Sequence, residues 1–416
     1  MIERKLEPII VEMLDYFRVV AINGPRQSGK TTLQKKIAEE RGMAYYTFDK
    51  RETYETASND PEGFIAYIAK EKSVAIDEVQ MVPEIIPAIK LAVDEADRKG
   101  MFLLTGSSDL FKNARIKESL AGRMASLTLY PLSYAEIHHR DTNLVDALFG
   151  DGFNRIPFDN TLTKEDVVRA VVQGGYPEAY TLPPKARQAW YDFYITSRIT
   201  KDIATIEHVD LEKVMYLDAL LKVLASQTAS LVNYSHIANA VGLADKTVKK
   251  YIRLLEALYI VELVPAYANN RLKRVIKSPK VHFIDSGLAS YLLGAGVESL
   301  MLGTNSSLGS LMETFVYSEL VKHASSARES VKIYYYRDQQ QREVDFVLES
   351  LTGAIVAIEV KSGSNLKKEH FKGLLALAKS LKGKEFKGIL LYSGTEILPF
   401  RMEAYQFWAI PLQVFL

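Results

Sequence analysis

The segment Gly24-Pro25-Arg26-Gln27-Ser28-Gly29-Lys30-Thr31-Thr32 constrains this 416-residue chain more than any other. Arg18-Val19-Val20-Ala21-Ile22 before it is a short apolar run of the buried-strand type, and Leu33 to Glu40 after it starts a helical periodicity. The pattern G-x-x-x-x-G-K-[ST] between a strand and a helix is a phosphate cradle. Its glycines let backbone N–H groups close around anionic oxygens, and the helix N-terminus adds a positive dipole. A parallel α/β sheet is therefore expected around it. Gly24, Gln27, Ser28 and Gly29 supply the loop, Lys30 reaches the β- and γ-phosphates, Thr31 places its hydroxyl on Mg²⁺, and Thr32 caps the helix or touches the α-phosphate. ATP and Mg²⁺ are the cofactors this implies.

Two further strands end on acids. Met43 to Phe48 precedes Asp49, and Ser73-Val74-Ala75-Ile76 precedes Asp77-Glu78, which lies 47 residues beyond Lys30. Apolar residues bury the second of these, Asp77 at its carboxyl end holds the Mg²⁺ shell, and Glu78 polarises the attacking water. Glu78 thus separates hydrolysis from binding alone. Met101 to Leu104 is a fourth strand, ending on Thr105-Gly106-Ser107-Ser108, where Ser107, or Thr105, is expected as a sensor of the γ-phosphate. Leu120-Ala121-Gly122-Arg123 precedes a fifth strand, Met124 to Tyr130, and places Arg123 where a neighbouring subunit's nucleotide could receive it in a homo-oligomer. Its bland alternative is a surface salt bridge. Asp94-Glu95-Ala96-Asp97 spells a helicase tetrapeptide but continues the helical pattern of Ala88 to Val93, so it reads as a solvated helix face.

These segments together, with Ile76-Asp77-Glu78-Val79-Gln80 and Leu104 to Asp109, resemble the AAA-type ATPases of archaea and bacteria. The resemblance spans nearly the whole chain. It implies an ATPase core followed by a C-terminal region with a restriction-endonuclease-like fold. The family also carries a stretch like Gly174-Gly175-Tyr176-Pro177-Glu178, to which only a structural part is given.

Length allows about three domains at roughly 100–200 residues each, and the boundaries are expected at 1–140, 141–210, 211–290 and 291–416. Residues 141–210, with Trp190 to Ile195, read as a helical lid or connector. From Ser235 a helix, a Gly242 turn, a helix opened by Asp245 and a hairpin give a winged helix-turn-helix pattern with Ile237, Ala238, Val241, Val248, Ile252 and Leu255 as its core. Lys246, Lys249, Lys250 and Arg253 fall on its second helix, and Arg271, Lys273, Arg274, Lys277 and Lys280 on the wing or just beyond. Residues 246–280 carry a local net charge of +7 in a chain whose total is +1, the footprint expected for DNA.

The last segment places Glu313 on an amphipathic helix, Asp345 on the strand Glu343 to Leu348, and Glu359-Val360-Lys361 on a neighbouring strand. Positions 359 and 361 are two apart and share a face. This is the D…E-x-K arrangement of PD-(D/E)xK nucleases, with Val344 in place of proline. It predicts Mg²⁺ on Glu313, Asp345 and Glu359, with Lys361 assisting water. The alternative is a nuclease-like domain that is inert and serves docking. Phe386 to Tyr392 and Ala409 to Leu416 are expected to complete its sheet. With no cysteine, no apolar window of membrane-spanning length and no signal-like N-terminus, a cytoplasmic protein is expected.

Overall fold

In the computed structural model, residues 2–70, 72–96, 98–106, 120–199, 203, 211–268, 274, 277–381 and 383–416 are described, without the side chains of 198 and 211–215. Ser107, Arg271 and Lys273 lie outside the described residues. The chain forms two compact units, Met1–Leu132 with Ala257–Tyr259, and Ser133–Glu256 with Ile260–Leu416. Residues 141–256 and 260–416, drawn from all three segments read separately after residue 140, lie in the second unit.

The first unit is built on β1 (Val19–Asn23), β2 (Ala44–Thr47), β3 (Val74–Asp77), β4 (Phe102–Thr105) and β5 (Met124–Thr128), in the order β2-β3-β4-β1-β5. Every pairing is parallel. β1, β3 and β4 are buried along their whole length, which is why they read as continuous apolar runs without alternation. Helices α1 (Glu7–Tyr16) and α2 (Lys30–Glu40) cover one face through Leu6, Ile10, Leu14, Leu33 and Ile37. Helix α3 (Ile85–Ala96) packs on the other with Ile85, Ile86, Ile89 and Val93. Buried Gln34 ties α2 to the sheet, its Nε2 donating to Ile76 O at 3.0 Å and Leu103 O at 2.8 Å. The register pairs Ile22 with Thr105 and Thr47 with Asp77, so the polar strand ends share one edge.

In the second unit, α4 (Tyr234–Val241) and α5 (Asp245–Ala257) flank Gly242, whose φ of 70° and ψ of 30° suit glycine as the C-cap of α4. Strands β6 (Ser230–Leu231), β7 (Val261–Val264) and β8 (Lys280–Phe283) form an antiparallel sheet in the order β6-β8-β7. The six apolar positions expected to face a core are all buried.

A six-stranded mixed sheet follows, with β9 (Val331–Arg337), β10 (Glu343–Ser350), β11 (Ile355–Lys361), β12 (Phe386–Tyr392), β13 (Leu398–Met402) and β14 (Tyr405–Pro411) in the order β13-β14-β12-β11-β10-β9. The segment expected as a strand through Leu416 instead leaves the sheet at Pro411 and ends in a 3-10 turn, Leu412–Phe415. Helix α6 (Leu308–Ser325) also differs from expectation. Residues 311–323, all but Glu313, are buried, Glu319, Lys322 and His323 among them, so α6 is a central helix and not an amphipathic surface one. Its buried charges are paired: Lys322 donates to Glu319 at 2.8 Å and Tyr134 N to the other Glu319 oxygen at 2.9 Å. Helix α7 (Lys372–Ser380) packs Leu374 and Leu377 against Val344, Val347 and Ala357.

Candidate functional site

The loop between β1 and α2 bends through residues with positive φ: Gly24 at 138°, Gln27 at 61° and Gly29 at 95°. A Cβ on Gly24 would overlap the Leu129 carbonyl oxygen, so only glycine fits there. Lys30, 5% exposed, donates from Nζ to Gly24 O at 2.9 Å and Pro25 O at 2.7 Å. Its ammonium therefore sits inside the cradle. Arg4 braces the loop from behind, donating to Ser28 O at 2.7 Å and Tyr130 O at 2.6 Å. Sequence reasoning had no access to this contact, because Arg4 belongs to no local pattern.

Three hydroxyls converge on Asp77, itself 2% exposed. Thr31 Oγ1 donates to its two oxygens at 3.1 and 3.0 Å, Tyr45 OH to Oδ2 at 3.0 Å, and Thr105 Oγ1 to Oδ1. Burial, with Asp77 beside it, raises the Tyr45 phenol well above its usual range, so it stays a donor. Thr105 Oγ1 also accepts from Glu78 N at 3.2 Å. Glu78 has φ 59° and ψ 44°, a left-handed conformation unusual for a non-glycine residue, and Gln80 Nε2 donates to its carboxylate. Thr31 and Asp77 thus already meet as a Mg²⁺ pair must. Those residues fit the ion.

Arg123 forms the surface salt bridge given as its alternative. Its guanidinium pairs with Asp94 of α3, with Nη2 3.0 Å from Oδ2 and Nε on Oδ1, and Nη1 donates to Ala121 O at 3.0 Å. The bond to Asp94 raises the Arg123 pKa and lowers that of the carboxyl. Asp94 of the helicase-like tetrapeptide is its partner within the chain.

The C-terminal acids do come together. Glu313 from α6, Asp345 from β10 and Glu359 with Lys361 from β11 meet around a residue assigned by sequence to the DNA-facing wing, Lys280 of β8. Its Nζ lies 3.0 Å from Glu313 Oε1 and 3.4 Å from Asp345 Oδ1, with 4% of the side chain exposed. Lys280 is therefore an internal cation, which corrects its place in the basic surface. Asp345 Oδ2 accepts Val360 N at 2.8 Å, and Lys361 Nζ donates to Glu359 Oε1 at 2.6 Å. Among the described residues, Glu359 Oε2 and both ring nitrogens of buried His282 have no hydrogen-bond partner, and His282 Nε2 lies 3.8 Å from Glu313 Oε1. Burial pushes Glu313 well above the carboxylate range, and burial with Asp345 nearby pushes Glu359 up to about 8. Burial keeps His282 neutral. Among the described residues, no group of three or more His, Cys, Asp or Glu is disposed to hold a metal ion. The expected Mg²⁺ ligands Glu313, Asp345 and Glu359 share their space with Lys280 instead.

Other cations of this basic run are engaged too. Arg274 donates to Glu349 at 2.6 and 3.2 Å and stacks on Tyr267 and Tyr334, while Lys277 donates to Arg337 O at 2.7 Å. Lys246, Lys249, Lys250 and Arg253 of α5 remain exposed.

The Gly174-Gly175-Tyr176 stretch clasps buried Asp285. Gly175 N, Leu288 N and Tyr191 OH donate to its carboxylate at 2.7, 2.9 and 3.0 Å, and a Cβ on Gly174, at φ 68°, would overlap it. Tyr176 OH meets Tyr194 OH at 3.1 Å, and Trp190 stacks on Tyr194. The segment is a packed helical body in which Gly174 and Gly175 hold Asp285.

Residues 16–138 match the family described as AAA domain. That match covers most of the first unit and includes its phosphate loop. Residues 164–299 and 308–415 of the chain match two domains of unknown function, DUF8612 and DUF4143. An uncharacterized protein of Mycobacterium tuberculosis is 29% identical over 349 residues, 83% of this chain and 70% of that protein. One from Haemophilus influenzae is 23% identical over 419 residues, 91% of this chain and 94% of its own. Among solved structures, the Walker-type ATPase PABY2304 of Pyrococcus abyssi has 14% identity and a TM-score of 0.44, over 70% of this chain and 96% of that one. The Thermotoga maritima RuvB Holliday junction branch migration motor has 16% identity and a TM-score of 0.28, over 63% and 88%. Among the described residues, no helix of this P-loop protein is long and apolar enough to cross a membrane.

Proposed function

We propose that the AAA-type domain hydrolyses Mg·ATP and that α5 directs the protein to DNA. The hydrogen-bonded set Thr31, Asp77, Thr105 and Glu78 carries the first part. Mg²⁺ held by Thr31 and Asp77 supplies charge neutralisation at the β- and γ-phosphates. Lys30 leaves its two loop carbonyls for phosphate oxygens. Thr105 fixes the backbone of Glu78, and Glu78 takes the proton of the attacking water. Glu78→Gln is expected to retain ATP binding and to lower turnover by about 10²–10⁴-fold; wild-type phosphate release by that variant would refute the assignment.

A winged-helix reading of α4, α5 and the β7–β8 pair supports the second part. Lys246, Lys249, Lys250 and Arg253 recur at i, i+3, i+4 and i+7, on the face opposite Val248, Ile252 and Leu255. Replacing all four with alanine is expected to weaken duplex binding and to reduce the slope of log K against log salt by up to about 3–4. A filter-binding titration checks this, and an unchanged slope removes DNA from the reading. The alternative is a nucleotide-switched docking protein whose C-terminal domain, restriction-endonuclease-like but inert, holds other parts in place. The engagement of Arg274, Lys277 and Lys280 by partners within the chain favours it over a DNA-cleaving wing and cluster.

A further inference from the structure

Mg²⁺ takes a near-octahedral oxygen shell at about 2.0–2.1 Å. In the C-terminal cluster, the oxygens best placed to share an ion, Glu313 Oε1 and Asp345 Oδ1, already share the ammonium of Lys280 at 3.0 and 3.4 Å. An ammonium and a divalent cation repel and cannot occupy that gap together. Of the remaining oxygens, Asp345 Oδ2 accepts from Val360 N and Glu359 Oε1 from Lys361, while Glu359 Oε2 has no hydrogen bond among the described residues. Two lysines therefore stand against three carboxyl groups, with little charge left for a metal to neutralise. The residues present do not fit Mg²⁺.

The origin of the cation matters as much as its position. Lys280 belongs to β8, the central strand of the three-stranded sheet, whereas Asp345 belongs to the six-stranded sheet and Glu313 to α6. Next to it on the strand axis, His282 stacks on Tyr317 of α6 with centroids 4.6 Å apart. Alternate residues of one strand thus seat in the same buried seam.

We propose that Lys280 is the resident cation of this cluster, making it a metal-independent ionic joint between the two sheets and not a phosphodiesterase centre. Removing the lysine leaves buried carboxyl groups uncompensated, a strongly destabilising change. The test uses full-length, nucleotide-free protein and Mn²⁺ alone, so its outcome does not depend on the ATPase or on DNA. Mn²⁺ binding, read by electron paramagnetic resonance, is expected to be the same in wild type, Asp345→Asn and Glu359→Gln. Lys280→Met is expected to melt roughly 5–10 °C lower than wild type. One Mn²⁺ per chain bound by wild type and lost in Asp345→Asn would overturn the proposal, as would a Lys280→Met protein with an unchanged Tm. Should Lys280→Met fail to fold, the Mn²⁺ comparison decides alone.

Discussion

Thr105 offers the sharpest test of how the ATPase site is held. Its side chain is fully buried, and its single hydroxyl does two things, donating to Asp77 and accepting from Glu78 N at 3.2 Å. Thr105→Val keeps the shape and deletes both. A hydrogen bond to a charged group contributes about 1.5–3 kcal/mol, and a donor left unpaired costs about 1–3 kcal/mol. Because the Glu78 amide is only partly buried, the lower part of the second range applies, and an overall loss of about 2–4 kcal/mol in the stability of the first unit is expected. Glu78 holds a left-handed backbone that this bond pins, so part of the loss falls on catalysis. If about 1.4–2.8 kcal/mol of it is felt in the transition state, kcat falls by roughly 10–100-fold while the KM for ATP, set by Lys30 and the loop, changes little. Urea denaturation and steady-state phosphate release measure the two effects. Thr105→Ser retains the hydroxyl and is expected to retain most of the turnover. A Thr105→Val enzyme that is less stable yet turns over at the wild-type rate would refute the reasoning.

Three other outcomes follow from the geometry. Arg123→Ala removes an exposed pairing with Asp94 and is expected to change ATP turnover by less than about twofold; a collapse of kcat would restore the arginine as a transition-state group. Glu359, raised from 4.5 to about 8, favours its protonated form in the folded chain, so its contribution to stability is complete below about pH 4.5 and is lost as pH rises to 8. Thermal melts of Glu359→Gln across that window should lack this decline, and an identical pH slope in both proteins would contradict the assignment. Asp285→Asn turns an acceptor of three hydrogen bonds into a group with a donor facing donors, and a loss of about 2–4 kcal/mol in the second unit is expected from denaturant titration.

What could be read in advance follows from how local each constraint is. The phosphate loop, the acids closing β3 and the E-x-K strand were legible because strand and helix periodicities place neighbours in sequence on one face or at one end. The core positions of α4 and α5 were legible for the same reason. Arg4, Tyr45 and Lys280 were not, since each acts through a contact with a distant segment and sits in no pattern of its own. Tyr45 carried a weak signal, as a polar-tipped aromatic on a strand beside β3. Lys280 was misread because a cation in a basic run looks solvated until the acids that enclose it are placed. Arg123 shows the same limit: its place before β5 leaves a partner subunit and a salt bridge both open, and only the fold brings Asp94 of α3 to it.

Arg4 binds the carbonyls of Ser28 and Tyr130 at once, so the nucleotide loop is fastened by the N-terminal segment and by the residues just after β5. The sheet order adds to this, because β1 is flanked by β4 and β5 and has no partner among the strands that directly follow it. During synthesis, an emerging chain therefore holds the loop sequence long before it holds the loop's shape. Non-local parallel pairing of this kind is slow to form. The cradle becomes able to grip phosphate only after residue 130 has left the ribosome, and ATP present at that moment would draw the last step of folding forward by binding its product.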